Sequence, residues 1–152
     1  EEMTKLIDNL RISTGENISI ARIQKLEGGS FGTYVHHDGK TGVLLHAEGE
    51  LDQAVARDVS MHITAAMPRP QGVSRDDVPA EVIEKERKFA EAEAEGKPPE
   101  IAKKIVDGKI DKLYSELALL EQPFVKDDSK KIKDIVGNAK LKAFFRWEVG
   151  SE

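Results

Sequence analysis

The sequence predicts an α+β protein in which a small antiparallel sheet with packed helices is interrupted by an inserted antiparallel helical coiled-coil hairpin. Three observations predict this class. Asp38-Gly39 separates two apolar runs, a pattern typical of a β-hairpin. An apolar stripe with helical spacing runs from Val106 to Leu120. Residues 140–149 alternate like a strand, and such a strand must pair with strands nearer the beginning of the chain.

Composition narrows the function before any motif is considered. The 152 residues are 39% hydrophobic and 34% charged, with 28 acidic against 23 basic residues and a net charge of −5. This balance argues against a nucleic-acid-binding protein, which needs clustered Lys and Arg. The absence of Cys excludes disulfides, thiol catalysis and zinc sites built on thiolates. No apolar run is long enough to predict a membrane span.

The first half of the chain predicts a helix followed by three strands and a second helix. Residues 1–14 form a helical lead-in that ends at Gly15. A period of two predicts a strand over about 17–27, and two further strands cover about 31–37 and 41–48. A two-residue type I′ turn at Asp38-Gly39 pairs Val35 with Gly42 and Phe31 with His46, and also pairs His37 with Lys40. The apolar stripe in residues 50–67 predicts an amphipathic helix that packs on the sheet and ends at Pro68.

The second half predicts the insertion and the closing strand. A polar helix over about 79–95 and a longer helix over about 99–121 form an antiparallel hairpin. The seam of the second helix has spacings of 4, 3, 4 and 3 and consists of Val106, Ile110, Leu113, Leu117 and Leu120. A short helix at about 130–137 precedes the closing strand, 140–149. The period of two places Leu141, Ala143, Phe145, Trp147 and Val149 on one face of that strand.

This organisation divides the chain into a lead-in, a body and an insertion. Residues 1–14 are the lead-in, and the helical hairpin is an insertion inside the α+β body. No catalytic or cofactor-binding constellation is predicted in any of them. His36 and His37 are neighbours in a predicted strand and therefore point to opposite faces, which argues against a shared metal ion. The residues alone indicate a binding or scaffolding module and not an enzyme, with no cofactor and no metal.

Several stretches carry a resemblance to a known family, and they occur in the family's order across nearly the whole chain. They are Gly15-Glu-Asn-Ile-Ser-Ile20, Tyr34-Val-His-His-Asp-Gly-Lys-Thr-Gly-Val-Leu44, Met61-His-Ile63, Asp77-Val-Pro-Ala-Glu-Val82, Glu84-Lys-Glu-Arg87, Glu95-Gly-Lys-Pro98, Lys104-Ile-Val-Asp-Gly108, Leu119-Leu-Glu-Gln-Pro-Phe-Val-Lys-Asp-Asp-Ser129 and Phe145-Arg-Trp-Glu-Val-Gly150. Together they resemble elongation factor Ts, the bacterial and organellar exchange factor for elongation factor Tu.

The resemblance implies a fold position and a partner. The body, residues 15–67 and 127–150, would be the second core subdomain of the family, which docks on the third domain of elongation factor Tu. Residues 74–122 would be the coiled-coil hairpin that interrupts this subdomain. The family's Thr-Gly-Ala-Gly-Met-Met and magnesium-displacing Thr-Asp-Phe-Val motifs are missing from this sequence. We therefore expect docking with little promotion of GDP/GTP exchange. The candidate partner contacts are Tyr34, His36, His37, Asp38 and His62, where Tyr34 could instead pack in the core and His62 could instead be buried.

An alternative from another class stays open. The seam from Val106 to Leu120 could pack against a second copy of the chain, which would make the protein a self-associating homodimer without exchange activity of its own. Neither alternative involves nucleic acid or a membrane. The expected location is the bacterial cytoplasm, with a plastid or the mitochondrial matrix as the alternative.

Overall fold

The centre of the molecule is a three-stranded antiparallel sheet. A computed structural model describes residues 1–151. Strands β1 (Ser30–Val35), β2 (Thr41–Glu48) and β5 (Lys140–Glu148) lie in the order β1-β2-β5. The predicted pairs Val35 with Gly42 and Phe31 with His46 are confirmed. The α+β class is therefore confirmed, and the closing segment pairs with β2 as the alternation requires.

The predicted strand at 17–27 is wrong. Helix α1 (Glu2–Thr14) is followed by a segment without regular structure that reaches Gly29. Gly28 and Gly29 both have φ 77°, and this left-handed pair turns the chain immediately before β1. The guanidinium of Arg22 lies 5.2 Å from the centre of the Trp147 ring, on the outer face of the sheet. The segment thus makes side-chain contacts with this face, and its period of two is not accompanied by strand pairing.

The closing strand contains a bulge that the alternation did not predict. His46 pairs with Ala143 and Ala47 pairs with Leu141, so β5 contributes one extra residue at Lys142. Leu141 therefore faces the core, whereas Ala143, Phe145 and Trp147 lie on the outer face. The prediction that all five apolar residues share one face is wrong, because the extra residue reverses the alternation.

Helix α2 (Gln53–Ala65) covers the inner face of the sheet. Asp52 caps it, since its carboxylate accepts from the N–H groups of Ala54 and Val55 at 2.9 and 3.1 Å. The helix lies so close to β1 that a Cβ on Gly32 would come within 2.7 Å of the Ala56 carbonyl oxygen. The main core between helix and sheet includes the fully buried residues Leu45, Val59, Ile63, Leu119 and Ile132.

The insertion is an antiparallel pair of helices, α3 (Ala80–Glu93) and α4 (Pro99–Leu117). It has a hydrophobic cluster separate from the main core, which contains Val78, Ile83, Ala90, Val106, Ile110, Leu117 and Ala118. Its two ends lie side by side, because the Leu119 N–H donates to the Gly72 carbonyl at 2.8 Å and the Gln71 N–H donates to the Leu117 carbonyl at 2.9 Å. We call α3 and α4 the helical hairpin.

The return to the body differs from the prediction. Helix α4 ends at Leu117, and a 3₁₀ turn (Leu119–Glu121) follows it, because the backbone at Ala118 is extended. Strands β3 (Pro123–Phe124) and β4 (Asp127–Lys131) then form a small ribbon. Helix α5 covers only Ile132–Ile135, so the predicted helix over 130–137 is too long. None of the helices within residues 1–151 combines the length and apolarity needed to cross a bilayer.

Candidate functional site: the tip of the β-hairpin

The candidate partner contacts from β1 lie at or beside the loop between β1 and β2, residues 36–40, which we call the tip. Tyr34 is half-buried on the inner face of the sheet, opposite Val43. His36 is half-buried, while His37 and Asp38 are exposed. The ring centres of Tyr34 and His36 are 6.1 Å apart. The structure therefore brings these four side chains to one end of the sheet.

The geometry of the tip corrects two expectations. The His36 N–H donates to the Thr41 carbonyl at 2.8 Å, and the Gly39 N–H donates to the His36 carbonyl at 2.9 Å. Among the described residues only glycines have positive φ, so Asp38 does not take the conformation that a type I′ turn requires. His37 belongs to the loop and not to a strand, so strand alternation does not apply to it. The two imidazole rings are neighbours, with centres 4.2 Å apart.

Asp38 stabilises the tip from within. Its carboxylate accepts a hydrogen bond from the Lys40 N–H at 2.9 Å, while Gly39 supplies the left-handed residue with φ 69°. The Lys40 hydrogen bond lowers the pKa of the Asp38 carboxyl, and the neighbouring imidazoles act in the same direction. Asp38 is therefore an anion at neutral pH. The tip therefore presents the carboxylate of Asp38 beside two imidazole rings and the exposed side chain of Lys40.

His62 lies inside the molecule and away from the tip. The residue is only 1% exposed, and its Nδ1 accepts a hydrogen bond from the Val125 N–H at 3.2 Å. Nε2 must then carry the proton, which it donates to Oε1 of Gln122 at 2.9 Å. Burial lowers the pKa of His62, and this effect outweighs the opposing hydrogen bond to Gln122. The structure therefore favours the buried alternative for His62.

Gln122 is the residue that sequence reasoning missed. Its Nε2 donates to the Pro68 carbonyl at 3.0 Å and to the Glu116 carbonyl at 2.7 Å. The side chain is therefore fully satisfied and joins helix α2, the linker after it and the end of the helical hairpin. A Gln between the acidic residue Glu121 and Pro123 gives no periodic signal. It could have been suspected only because a polar residue stands where the chain returns to the core.

The predicted seam contributes to two different cores. Val106, Ile110 and Leu117 are buried in the cluster of the helical hairpin, and Leu113 packs against the same cluster. Leu120 packs against the main core instead, because the helix has already ended at Leu117. The seam as described thus lies between the helices of one chain. The large apolar side chains that remain exposed on the helical hairpin are Phe89 and Ile101.

The described chain shows no arrangement suited to metal binding. No group of three or more His, Cys, Asp or Glu side chains within residues 1–151 is placed to hold a metal ion. The rings of His36 and His37 lie next to each other, but a protein metal site needs further convergent ligands. What the tip can do chemically is to recognise another surface by hydrogen bonding, charge and ring contacts.

The comparisons with known proteins agree with one another. A family model described as elongation factor TS matches residues 1–151. Elongation factor Ts of Deinococcus radiodurans is 46% identical over 139 residues, which cover 90% of this chain and 52% of that protein. Elongation factor Ts of Hahella chejuensis is 46% identical over 140 residues, covering 90% and 48%. Elongation factor Ts of Burkholderia thailandensis is 43% identical over 155 residues, covering 96% and 52%. The chain spans about half the length of the curated relatives it matches.

Proposed function

Because this chain belongs to the elongation factor Ts family, we propose that it binds elongation factor Tu and supplies a docking surface for GDP/GTP exchange. The observation that carries the proposal is the family match over residues 1–151. In this role the protein stabilises a state of its partner that holds nucleotide weakly, and it makes or breaks no covalent bond itself. The Thr-Asp-Phe-Val motif is absent from the sequence, so we propose docking as the larger contribution of this chain.

The tip is the proposed contact surface. Tyr34, His36, His37 and Asp38 stand together at one end of the sheet, and His37 and Asp38 are exposed there. His62 is left out of this surface, because its two ring nitrogens are already engaged inside the molecule. The named relatives are bacterial, which supports a bacterial cytoplasm over a plastid or the mitochondrial matrix as the place where the chain acts.

The test combines a binding titration with release of labelled GDP from elongation factor Tu in the presence of excess chain. We expect saturable binding with little acceleration of GDP release. His37→Ala should weaken binding, while Lys133→Ala on α5, outside the tip, is the matched control and should leave it unchanged. Full acceleration of release would contradict the division of roles. Absence of binding by the unsubstituted chain would contradict the proposed function.

Self-association through the helical hairpin is a second candidate, favoured by one observation. Phe89 is 59% exposed and Ile101 is 50% exposed. A homodimer would bury these side chains, whereas the seam residues are already buried within one chain. Sedimentation of Phe89→Glu and Ile101→Glu variants tests this, because both changes leave the seam intact. Leu113→Asp and Leu117→Asp are poorer tests, since a buried charge at the seam would unfold the helical hairpin.

A further inference from the structure

The inner face of the sheet carries two buried polar atoms without a hydrogen-bond partner, both near the tip. They are Nε of Arg146 and Nδ1 of His36, and they have no partner within residues 1–151. Val43 on the central strand β2 pairs with Tyr34 of β1 on one side and with Arg146 of β5 on the other. Arg146 therefore lies on the same face of the sheet as Tyr34. Thr41, two residues before Val43 on β2, pairs with Glu148 of β5, and its carbonyl accepts a hydrogen bond from the His36 N–H. His36, Thr41 and Glu148 are therefore neighbours across the sheet at the end nearest the tip. The strand register thus places both orphaned atoms at one end of one face.

The charges around these atoms are unbalanced. Nη1 of Arg146 lies 3.7 Å from Oε2 of Glu148, and Nη2 of Arg69 lies 3.8 Å from the same oxygen. Both distances are longer than a hydrogen bond. Two guanidinium groups therefore share one carboxylate without a close contact from either. We call Arg146, Arg69, Glu148 and His36 the Arg146 corner, and it holds two guanidinium groups but only one carboxylate.

Packing alone does not account for Arg146. Its side chain is only 15% exposed, and it lies opposite Val43 on the inner face of the sheet, where the stem of an Arg can cover apolar surface. A Met at this position would cover the same surface without a buried N–H that lacks an acceptor. The planar fork of Arg suits a carboxylate, which it binds through Nε and a terminal nitrogen together.

We propose that the Arg146 corner receives an acidic side chain of the protein partner, with Arg146 as the anchor. The inference rests on the proposed function, because the corner adjoins the tip through which docking is proposed. A side-chain carboxylate is favoured over a phosphate group for two reasons. Glu148 remains in the corner and repels a doubly charged group more strongly than a singly charged one. The corner is also partly exposed beside residues already proposed for a protein contact, since the side chains of Arg69 and Glu148 are 56% and 42% exposed.

The experiment uses the whole chain and measures its affinity for elongation factor Tu by calorimetry at low and high salt. Arg146→Met keeps the stem and should weaken binding by about tenfold to a hundredfold, as expected for a lost charge-assisted pair. Arg146→Lys keeps the charge but loses the fork, and it should recover only part of the affinity. Lys142→Met on the same strand, where Lys142 is exposed, is the matched control and should bind normally.

Glu148→Gln gives the discriminating result. The substitution removes the carboxylate that competes for both guanidinium groups, so it should tighten binding. A merely structural Arg146–Glu148 pair would instead give unchanged or weaker binding, and this result would overturn the inference. Thermal unfolding of each variant identifies any loss of affinity that is due to misfolding. The Glu148→Gln variant keeps the inference testable even where Arg146→Met does not fold.

The outcomes separate the inference from the proposed function. If the unsubstituted chain binds and Arg146→Met binds equally well, the inference is refuted and the proposed function stands. If the unsubstituted chain does not bind, both are refuted. Titration of the chain alone with inorganic phosphate provides the last arm. Saturable, Arg146-dependent phosphate binding would show a phosphate site and would overturn the assignment to an acidic side chain.

Discussion

Gln122→Ala is expected to lower the free energy of unfolding by about 3 kcal/mol. The substitution leaves the buried Nε2–H of His62 without its acceptor at 2.9 Å, which costs about 2 kcal/mol. The carbonyl groups of Pro68 and Glu116 lose donors at 3.0 and 2.7 Å, and their loss adds about 1 kcal/mol in total because both bonds are only partly buried. For a chain of this size, the change lowers the Tm by about 9 °C.

Urea unfolding followed by far-UV circular dichroism measures the effect at pH 8, where His62 is neutral in both states. Gln122→Glu is the informative companion, because its carboxylate still accepts from His62 but cannot donate to the two carbonyl groups. Its loss should be larger than that of Gln122→Ala, because the substitution buries a carboxylate beside two carbonyl oxygens to which it cannot donate. Gln53→Ala, at an exposed position in α2, is the control and should change stability by less than about 0.5 kcal/mol. A loss below about 1 kcal/mol for Gln122→Ala would refute the reasoning.

Three further predictions follow from the packing and the pKa of His62. The folded state holds the His62 pKa below its ordinary value of 6.5, so it binds fewer protons than the unfolded state just below pH 6.5. The contribution of the neutral His62 to the free energy of unfolding should then be fully present above about pH 7 and decrease as the pH drops below 6.5. A His62→Gln variant should lose this pH dependence, measured by urea unfolding at a series of pH values. Gly32→Ala forces β1 away from α2 and should cost about 2 kcal/mol by thermal unfolding, whereas Gly42→Ala, with open space at its Cβ, should cost much less. Ile110→Ala should cost the helical hairpin about 3 kcal/mol, and hydrogen exchange should accelerate there while α2 stays protected; uniform acceleration would contradict two separate cores.

Local patterns in the sequence predicted the central elements because those elements follow simple periodicities. The pairs Val35 with Gly42 and Phe31 with His46 follow from two apolar runs around Asp38-Gly39, and the helical hairpin follows from two amphipathic stretches separated by Gly96 and Pro98. The strand at 17–27 failed because alternation reports a residue's two faces and not a hydrogen-bonding neighbour. The bulge at Lys142 was not predicted for a similar reason, since an extra residue in a strand produces no distinct sequence pattern.

For the candidate site too, local sequence patterns predicted some residues, whereas others depend on contacts between distant parts of the chain. The tip residues were predictable, because a loop between two strands is exposed wherever the strands end. The role of Gln122 was not predictable, because two of its three partners, His62 and Pro68, lie far from it in sequence. The excess of guanidinium groups over carboxylates around Arg146 also depends on long-range placement. Arg69 and Glu148 lie about half the length of the chain apart in sequence, and only the folded linker brings them together.

The side-by-side position of Gly72 and Ala118 has a consequence for how this protein can vary. The chain leaves the body for the helical hairpin and returns to it at neighbouring hydrogen-bonded residues. The structure of the body therefore depends on this junction and not on the length of the helices beyond it. The outer end of the helical hairpin can therefore gain or lose whole helical turns, about 5.4 Å at a time, with the sheet undisturbed. Helix α4 has 19 residues and is about 28 Å long. Changes in this length would set how far from the body the outer end of the helical hairpin can make contacts.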